Sequence, residues 1–325
     1  MAVLRMRDAL REALREEMRR NPKIFLMGED IGKYGGSYAV TAGLLEEFGE
    51  ERVRDTPIAE SVIVGAGIGA AMAGYHPMVE LMTINFSFLA LDQIVNNAAK
   101  LLYMSNGQIN VPLVIRMASG GGSQLGATHS HSLEGLYAHF PGLKVVCPAF
   151  PADAKGLLKR AFRDQNTVIF IEHTANYGLR GEVPDDPDFL IEFGQANIVR
   201  EGRDVTIVGY SGSVHQALRA AEILAEQEEV EAEVIDLRTL RPLDIATVVE
   251  SVKKTNRCVV VEDDWKFGGF AGEIAALVME HAFDWLDAPV ARVCSKDVPM
   301  PYNRTLEYAA LPSEEDVVDA VLAMF

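Results

Sequence analysis

The chain of 325 residues is long for one hydrophobic core, and a prior of about 150 residues per domain predicts two. Its 49% hydrophobic and 24% charged residues are those of a soluble globular protein. A net charge of -17, from 47 acidic against 30 basic residues, excludes a nucleic-acid surface, which needs clustered Lys and Arg.

In chain order, the first 18 residues mix Arg5, Arg7, Arg11 and Arg15 with Asp8, Glu12, Glu16 and Glu17. That mixture predicts an amphipathic surface helix, not a transit peptide, which would be poor in acids. Apolar runs at 24–27, 78–82, 112–116, 144–147 and 168–171 then alternate with helical patterns at 57–74, 88–104, 132–139 and 152–163. Alternation of this kind predicts parallel strands covered on both faces by helices. Gly178, Gly181, Pro184, Pro187 and Gly194 break the pattern between 176 and 203, which reads as a linker. Strands at 205–209, 232–237, 258–262 and 290–293 resume it, with helices at 213–226, 243–254, 269–281 and 313–324. Cys147, Cys258 and Cys294 are odd in number, widely spaced and set in apolar stretches. They indicate neither a disulfide framework nor a zinc site, and a reducing, cytoplasmic compartment is expected. No apolar run reaches the roughly 18 residues of a membrane span.

Glu60 ends Asp55-Thr56-Pro57-Ile58-Ala59-Glu60, directly before a small-residue helix. Thr56 is a candidate N-cap and Pro57 a first helical residue, so a capping-box acid would fall at Ala59, one residue before Glu60. Taken alone, Glu60 fits a first-turn acid favoured by the helix dipole. Ala66, Ala70 and Gly74 form one column of small residues, with Gly65, Gly69 and Ala73 alongside. These columns predict close approach of another helix, from this chain or a partner subunit. Their spacing fits no nucleotide fingerprint.

Met82-Thr83-Ile84-Asn85-Phe86 and Ser119-Gly120-Gly121-Gly122-Ser123 each follow a strand, where open parallel sheets bind ligands. Phe86 is either core or a platform for a planar ring. His129, in Thr128-His129-Ser130-His131, is either a surface loop residue or an acid–base group titrating near neutrality. A metal held by His129 and His131 is disfavoured, since no Cys or acid stands at ligand spacing.

These residues assemble into a pattern. Glu60 in its Thr-Pro-Ile-Ala-Glu setting, Asn85-Phe86-Ser87, His129-Ser130, Pro141-Gly142-Leu143-Lys144 and Ala154-Lys155-Gly156-Leu157-Leu158 resemble the β subunits of thiamine-diphosphate-dependent 2-oxoacid dehydrogenases. The Asn-Phe segment is closest to the pyruvate-specific branch. Asp236-Leu237-Arg238-Thr239-Leu240-Arg241-Pro242 and Asp297-Val298-Pro299-Met300-Pro301-Tyr302 extend the resemblance over nearly the whole chain. It implies two doubly wound α/β domains: a transketolase-like pyrimidine-binding domain over 1–185, a linker over 186–203, and a transketolase C-terminal-like domain over 204–325.

The resemblance also implies roles. Glu60 bonds the cofactor's aminopyrimidine and promotes its imino tautomer, Phe86 stacks on that ring and Met82 neighbours it. His129 serves the substrate oxyanion or the later acyl transfer. His131 stands where many relatives carry Gln, which leaves the proton inventory of that loop open. A potassium site is implied at Leu113, Ala161, Phe162, Asp164 and Asn166, against which the residues alone offer simple helix capping. The chain lacks the Gly-Asp-Gly and following Asn that hold the diphosphate and magnesium, so an α subunit is expected to supply that half in a heterotetramer of two α and two β chains. The implied activity is oxidative decarboxylation of pyruvate with acetylation of a lipoyl group. A branched-chain 2-oxoacid or acetoin dehydrogenase and a non-catalytic assembly subunit are the alternatives. The C-terminal domain is implied to dock the basic peripheral binding domain of the acyltransferase core through acids at Asp284, Asp287, Glu314, Glu315 and Asp316. Asp287 is the candidate contact, and an ordinary turn acid is the alternative there.

Overall fold

The computed structural model describes all residues, Met1–Phe325. They fall into two compact units, one of Met1–Ser119 with Tyr137–Phe193, the other of Gly120–Leu136 with Gly194–Phe325. The segment 120–136, expected within the first domain, thus belongs with the second.

In the first unit, β1 (Ala2–Arg5) leads into α1 (Met6–Arg20). The helix is amphipathic as expected, but it is no surface appendage. Met6, Leu10, Leu14 and Met18 recur at four-residue spacing and are all fully buried in the main core. Then come β2 (Leu26–Gly28), α2 (Leu44–Phe48), β3 (Val53–Asp55), α3 (Glu60–Met72), β4 (Met78–Thr83), α4 (Leu101–Met104), β5 (Val114–Ser119), α5 (Glu134–His139), β6 (Lys144–Val146), α6 (Pro151–Phe162), β7 (Val168–His173) and β8 (Arg180–Val183). Six of these strands form a parallel array in the order β6-β7-β5-β4-β2-β3, while β8 pairs antiparallel with β1. From β2 the chain moves to β3 on one side and then to β4 on the other. The carboxyl ends of β2 and β4 therefore flank a topological switch point, the usual place for a ligand in such a sheet.

Two expected helices are corrected. The one placed at 57–74 starts at Glu60, because the Thr56 amide still bonds to the Gly28 carbonyl in continuation of the sheet. Ala59, not Thr56, is the N-cap, and no side chain caps the helix. The one placed at 88–104 breaks into a 3-10 turn (Ile84–Ala90), a π-helical stretch (Gln93–Ala98) and α4. Within the turn the Ser87 hydroxyl donates to the Ile84 carbonyl and accepts from Tyr137. The small residues of α3 also divide differently from expectation. Gly67 meets the sheet, where a Cβ would lie 2.7 Å from Val79 Cγ1. Gly65 lies against Gln93 of the π-helical stretch, where a Cβ would be 3.6 Å from its side-chain oxygen, whereas Ala66, Gly69, Ala73 and Gly74 are exposed, as is Val62.

The second unit holds β9 (Asn197–Arg200), β10 (Val205–Gly209), α7 (Ser213–Gln227), β11 (Ala232–Asp236), β12 (Thr239–Arg241), α8 (Ile245–Thr255), β13 (Cys258–Trp265), α9 (Phe270–Ala282), β14 (Ala291–Ser295), α10 (Arg304–Ala310) and α11 (Glu314–Leu322). Its five-stranded sheet runs β14-β13-β10-β11-β9, with β9 antiparallel and the others parallel. β9 lies inside the stretch read as a linker, where its short Asn-Ile-Val-Arg run gave no clear alternation. No helix is long and apolar enough to cross a membrane.

Candidate active site

Glu60 is the first residue of α3 and is 4% exposed. An anion there meets the free amides of the first helical turn, which offsets part of the cost of its burial. Glu29 leaves β2 at the switch point and is also buried. Burial, and then the charges of Glu60 and Asp30, raise the Glu29 carboxyl above its ordinary range. Two carboxyls are thus close enough to interact, and spacing does not reveal the second because Glu29 stands 31 positions from Glu60. Asp55 shapes the same loop, accepting from the amides of Gly32 at 2.6 Å and Lys33 at 3.1 Å.

At the end of β4, Met82 and Phe86 are half-buried. Helix α3 packs on the turn that carries Phe86, which brings the elements of Glu60 and Phe86 together. Asn85 Nδ2, Thr83 Oγ1 and Thr56 Oγ1 are buried without hydrogen-bond partners. Buried polar atoms left unpaired cost about 1–3 kcal/mol each, so their presence here fits a polar heterocycle that would pair with them.

Behind the crevice Arg116 on β5 is buried between Glu80 of β4 and Glu172 of β7, with Glu172 2.7 Å from its Nε. Tyr177 donates to Glu172 at 2.8 Å, accepts from Arg116 at 3.1 Å, and stacks on Tyr38 at 4.9 Å. Burial opposes the charge on Arg116, but the neighbouring carboxylates outweigh it and hold the guanidinium cationic.

His129 lies in the second unit. Its Nδ1 is 2.8 Å from the Thr128 hydroxyl, and its amide bonds to the Gly126 carbonyl. His131, whose role the sequence left open, packs edge-on against Trp265 at 5.5 Å and bonds to the Ala127 carbonyl. Burial lowers its pKa, so it is a neutral strut of the loop.

The residues of the expected potassium site gather at the end of α6. The Ala161 carbonyl accepts from the amides of Arg163 and Asp164, the Phe162 carbonyl from His76, and the Leu113 carbonyl from Val168. The Asp164 carboxylate is already taken by Lys144 at 2.5 Å, Arg160 at 3.2 Å and the Asn166 amide at 3.0 Å. What the cluster retains are second lone pairs on carbonyls, a donor set suited to a monovalent cation and too weak for a divalent one. No group of three His, Cys, Asp or Glu side chains is arranged for a metal.

Asp287 is 3.5 Å from Arg257, whose guanidinium also lies over the Phe325 ring at 4.1 Å. It sits on the rim of an apolar groove of about 520 Å³ between Met279, Phe283, Leu286 and Pro289. The expected acidic patch is thinner than its residue count. Asp316 closes a capping box with Ser313, and Glu314 pairs with Arg219.

Residues 2–180 match the transketolase pyrimidine binding domain and residues 194–317 the transketolase C-terminal domain. The pyruvate dehydrogenase E1 component subunit beta of Rhizobium meliloti (strain 1021) is 51% identical, over 100% of this chain and 70% of that protein. Its counterpart in Rickettsia felis (strain ATCC VR-1525 / URRWXCal2) is 52% identical over 97% and 96%. The mitochondrial one of Dictyostelium discoideum is 48% identical over 97% and 89%. A solved structure described as a split gene transketolase, inactive beta4 tetramer, aligns with a TM-score of 0.80 at 27% identity, covering 98% of this chain and 97% of its own. Two mostly parallel α/β domains of this kind define a thiamine-dependent protein of the transketolase type. The chain belongs to the pyruvate dehydrogenase E1 component subunit beta family.

Proposed function

We propose that this chain is the β half of a pyruvate-decarboxylating dehydrogenase, active with an α subunit that holds the diphosphate and magnesium of thiamine diphosphate. The observation that carries the reading is Glu60, a carboxylate buried in the first turn of α3 and facing the crevice shared with Glu29. The bound cofactor would supply a carbanion nucleophile and an electron sink. Glu60 would hold a proton at a ring nitrogen of the pyrimidine, and Glu29 would modulate the charge around it. Phe86 and Met82 would flank the ring and keep water from it, with Asn85 and Thr83 as unpaired polar atoms facing the same end of β4. His129 would serve the substrate oxyanion or the acyl transfer to a lipoyl group.

The carbonyls of Leu113, Ala161, Phe162, Asp164 and Asn166 would hold a structural potassium ion. The assembly would be a heterotetramer of two α and two β chains. Asp287 and the groove beside it would dock the basic peripheral binding domain of the acyltransferase core, and a reducing cytoplasm suits the three free thiols. Pyruvate is favoured over branched-chain 2-oxoacids and acetoin by the names of the relatives. Turnover of the three substrates by the chain reconstituted with its α subunit tests the reading. Pyruvate should be preferred, and no turnover of any of them would reduce the chain to an assembly subunit. Calorimetry with the isolated chain tests the division of the cofactor, since tight magnesium-dependent binding without the α subunit contradicts it.

A further inference from the structure

The glycine loop between β5 and α5 is built as a concave row of backbone amides. Gly120 (φ +93°), Gly122 (φ +91°), Gln124 (φ +57°) and Gly126 (φ +78°) alternate left-handed geometry along the segment, and turns of this kind point successive N–H groups inward at an anion. The anion is supplied by the same unit. Glu307, on α10, has no exposed surface, and its Oε1 accepts from the amides of Gly122 at 2.9 Å and Gln124 at 3.2 Å. Its Oε2 accepts from Gln124 at 3.0 Å. The loop is pressed onto the helix's surroundings, since a Cβ on Gly121 would lie 3.1 Å from Leu311. Its base is closed by the Gly120 amide on the His131 carbonyl at 3.2 Å.

A buried carboxylate bonded to two loop amides fixes the backbone seven and five residues before His129. We propose that Glu307 is a positioning residue for His129: it holds the His129 loop in its working shape from the C-terminal unit without touching substrate. This rests on the reading of His129 as the residue serving the substrate. Charge-assisted bonds of this type are the stronger ones, so their loss frees the loop instead of merely loosening it.

The test uses the complex assembled with the α subunit and four variants: Glu307→Ala, Glu307→Gln, His129→Ala, and His129→Ala combined with Glu307→Ala. Glu307→Ala should speed hydrogen exchange at the amides of Gly122 and Gln124 and lower kcat by up to about 100-fold, the scale of a misplaced catalytic group, with little change in KM. Glu307→Gln, whose amide oxygen still accepts, should recover part of both and stands in if the Ala variant does not fold. In the His129→Ala background, Glu307→Ala should lower kcat no further, because the two act through one group. Equal losses with and without His129, or unchanged exchange at the two amides, would overturn the proposal. Wild-type turnover by His129→Ala would instead sink the reading of His129, and amide exchange would still decide whether Glu307 anchors the loop.

Discussion

Glu29 and Glu60 reach one crevice from different directions, the first off the end of β2 and the second in the first turn of α3, and burial, then the charge of Glu60, raise the Glu29 carboxyl. Replacing Glu60 by Gln removes that charge, so the Glu29 carboxyl should fall back toward its ordinary range. Carbon NMR of labelled glutamate reads this directly, and an unmoved Glu29 titration would separate the two groups. In the assembled, cofactor-saturated complex the same variant should slow proton exchange at the thiazolium carbon about 100-fold or more, as expected for loss of an acid–base group.

Gly67 and Ala66 are neighbours with opposite surroundings. Gly67→Ala places a methyl 2.7 Å from Val79 and 3.1 Å from Leu113, and should cost about 1–3 kcal/mol of stability in the isolated chain. Ala66→Leu points outward and should leave that stability unchanged while lowering the sedimentation coefficient of the complex, if the outward face of α3 meets another subunit. A full-sized complex from Ala66→Leu would leave that face without a partner.

Burial, and then the charge of Asp264, push Glu262 up to about 7 from an ordinary 4.5. The folded chain therefore keeps a proton that the unfolded chain has lost over this interval. The stabilising contribution is complete below about pH 4.5 and disappears as pH rises through about 7. Glu262→Gln cannot ionise, so its stability relative to the parent should improve from pH 5 to pH 8 by up to about 3 kcal/mol, at 1.36 kcal/mol per pH unit. Urea melts at the two pH values measure the difference, and a pH-independent offset would show that Glu262 does not titrate there.

Docking at Asp287 has competition within the chain, because Arg257 already lies 3.5 Å away. Asp287→Asn should weaken capture of the peripheral binding domain severalfold, and added salt should weaken it further if the remaining acids steer the encounter. Surface plasmon resonance at two ionic strengths tests both, and indifference to each would move the docking surface elsewhere.

A monovalent cation at the end of α6 should stabilise the chain by mass action. Its melting temperature should rise on exchanging lithium for potassium at constant ionic strength. Identical melts in both salts would assign those carbonyls to helix termination.

Much of the fold was legible because β4, β5 and β7 are mainly apolar runs, each broken by a single Glu or Arg, whose pattern survives without context. The helix expected over 88–104 failed because periodicity does not register the Ser87 and Tyr137 hydroxyls that bend its first turn. Thr56 was misread as a cap since sequence does not reveal that its amide continues a sheet. Glu60, Met82 and Phe86 stand in local motifs, whereas Glu29 and Glu307 carry none. Their positions depend on strand order and on a helix more than 180 positions from the loop it meets, neither of which spacing encodes.

The cation of Arg116, clasped by Glu80 and Glu172, has a consequence for assembly of the sheet. In the observed pairing Glu80 stands opposite Arg116, and Arg116 opposite Phe170 two residues before Glu172. Sliding either neighbouring strand by one residue turns a carboxylate to the opposite face of the sheet and leaves a buried charge without its counterion, at a cost of about 3–5 kcal/mol. Strands specified by apolar contacts alone tolerate slippage. The clasp works as a key cut for a single alignment, so misregistered forms of this sheet are rejected electrostatically before packing can discriminate among them.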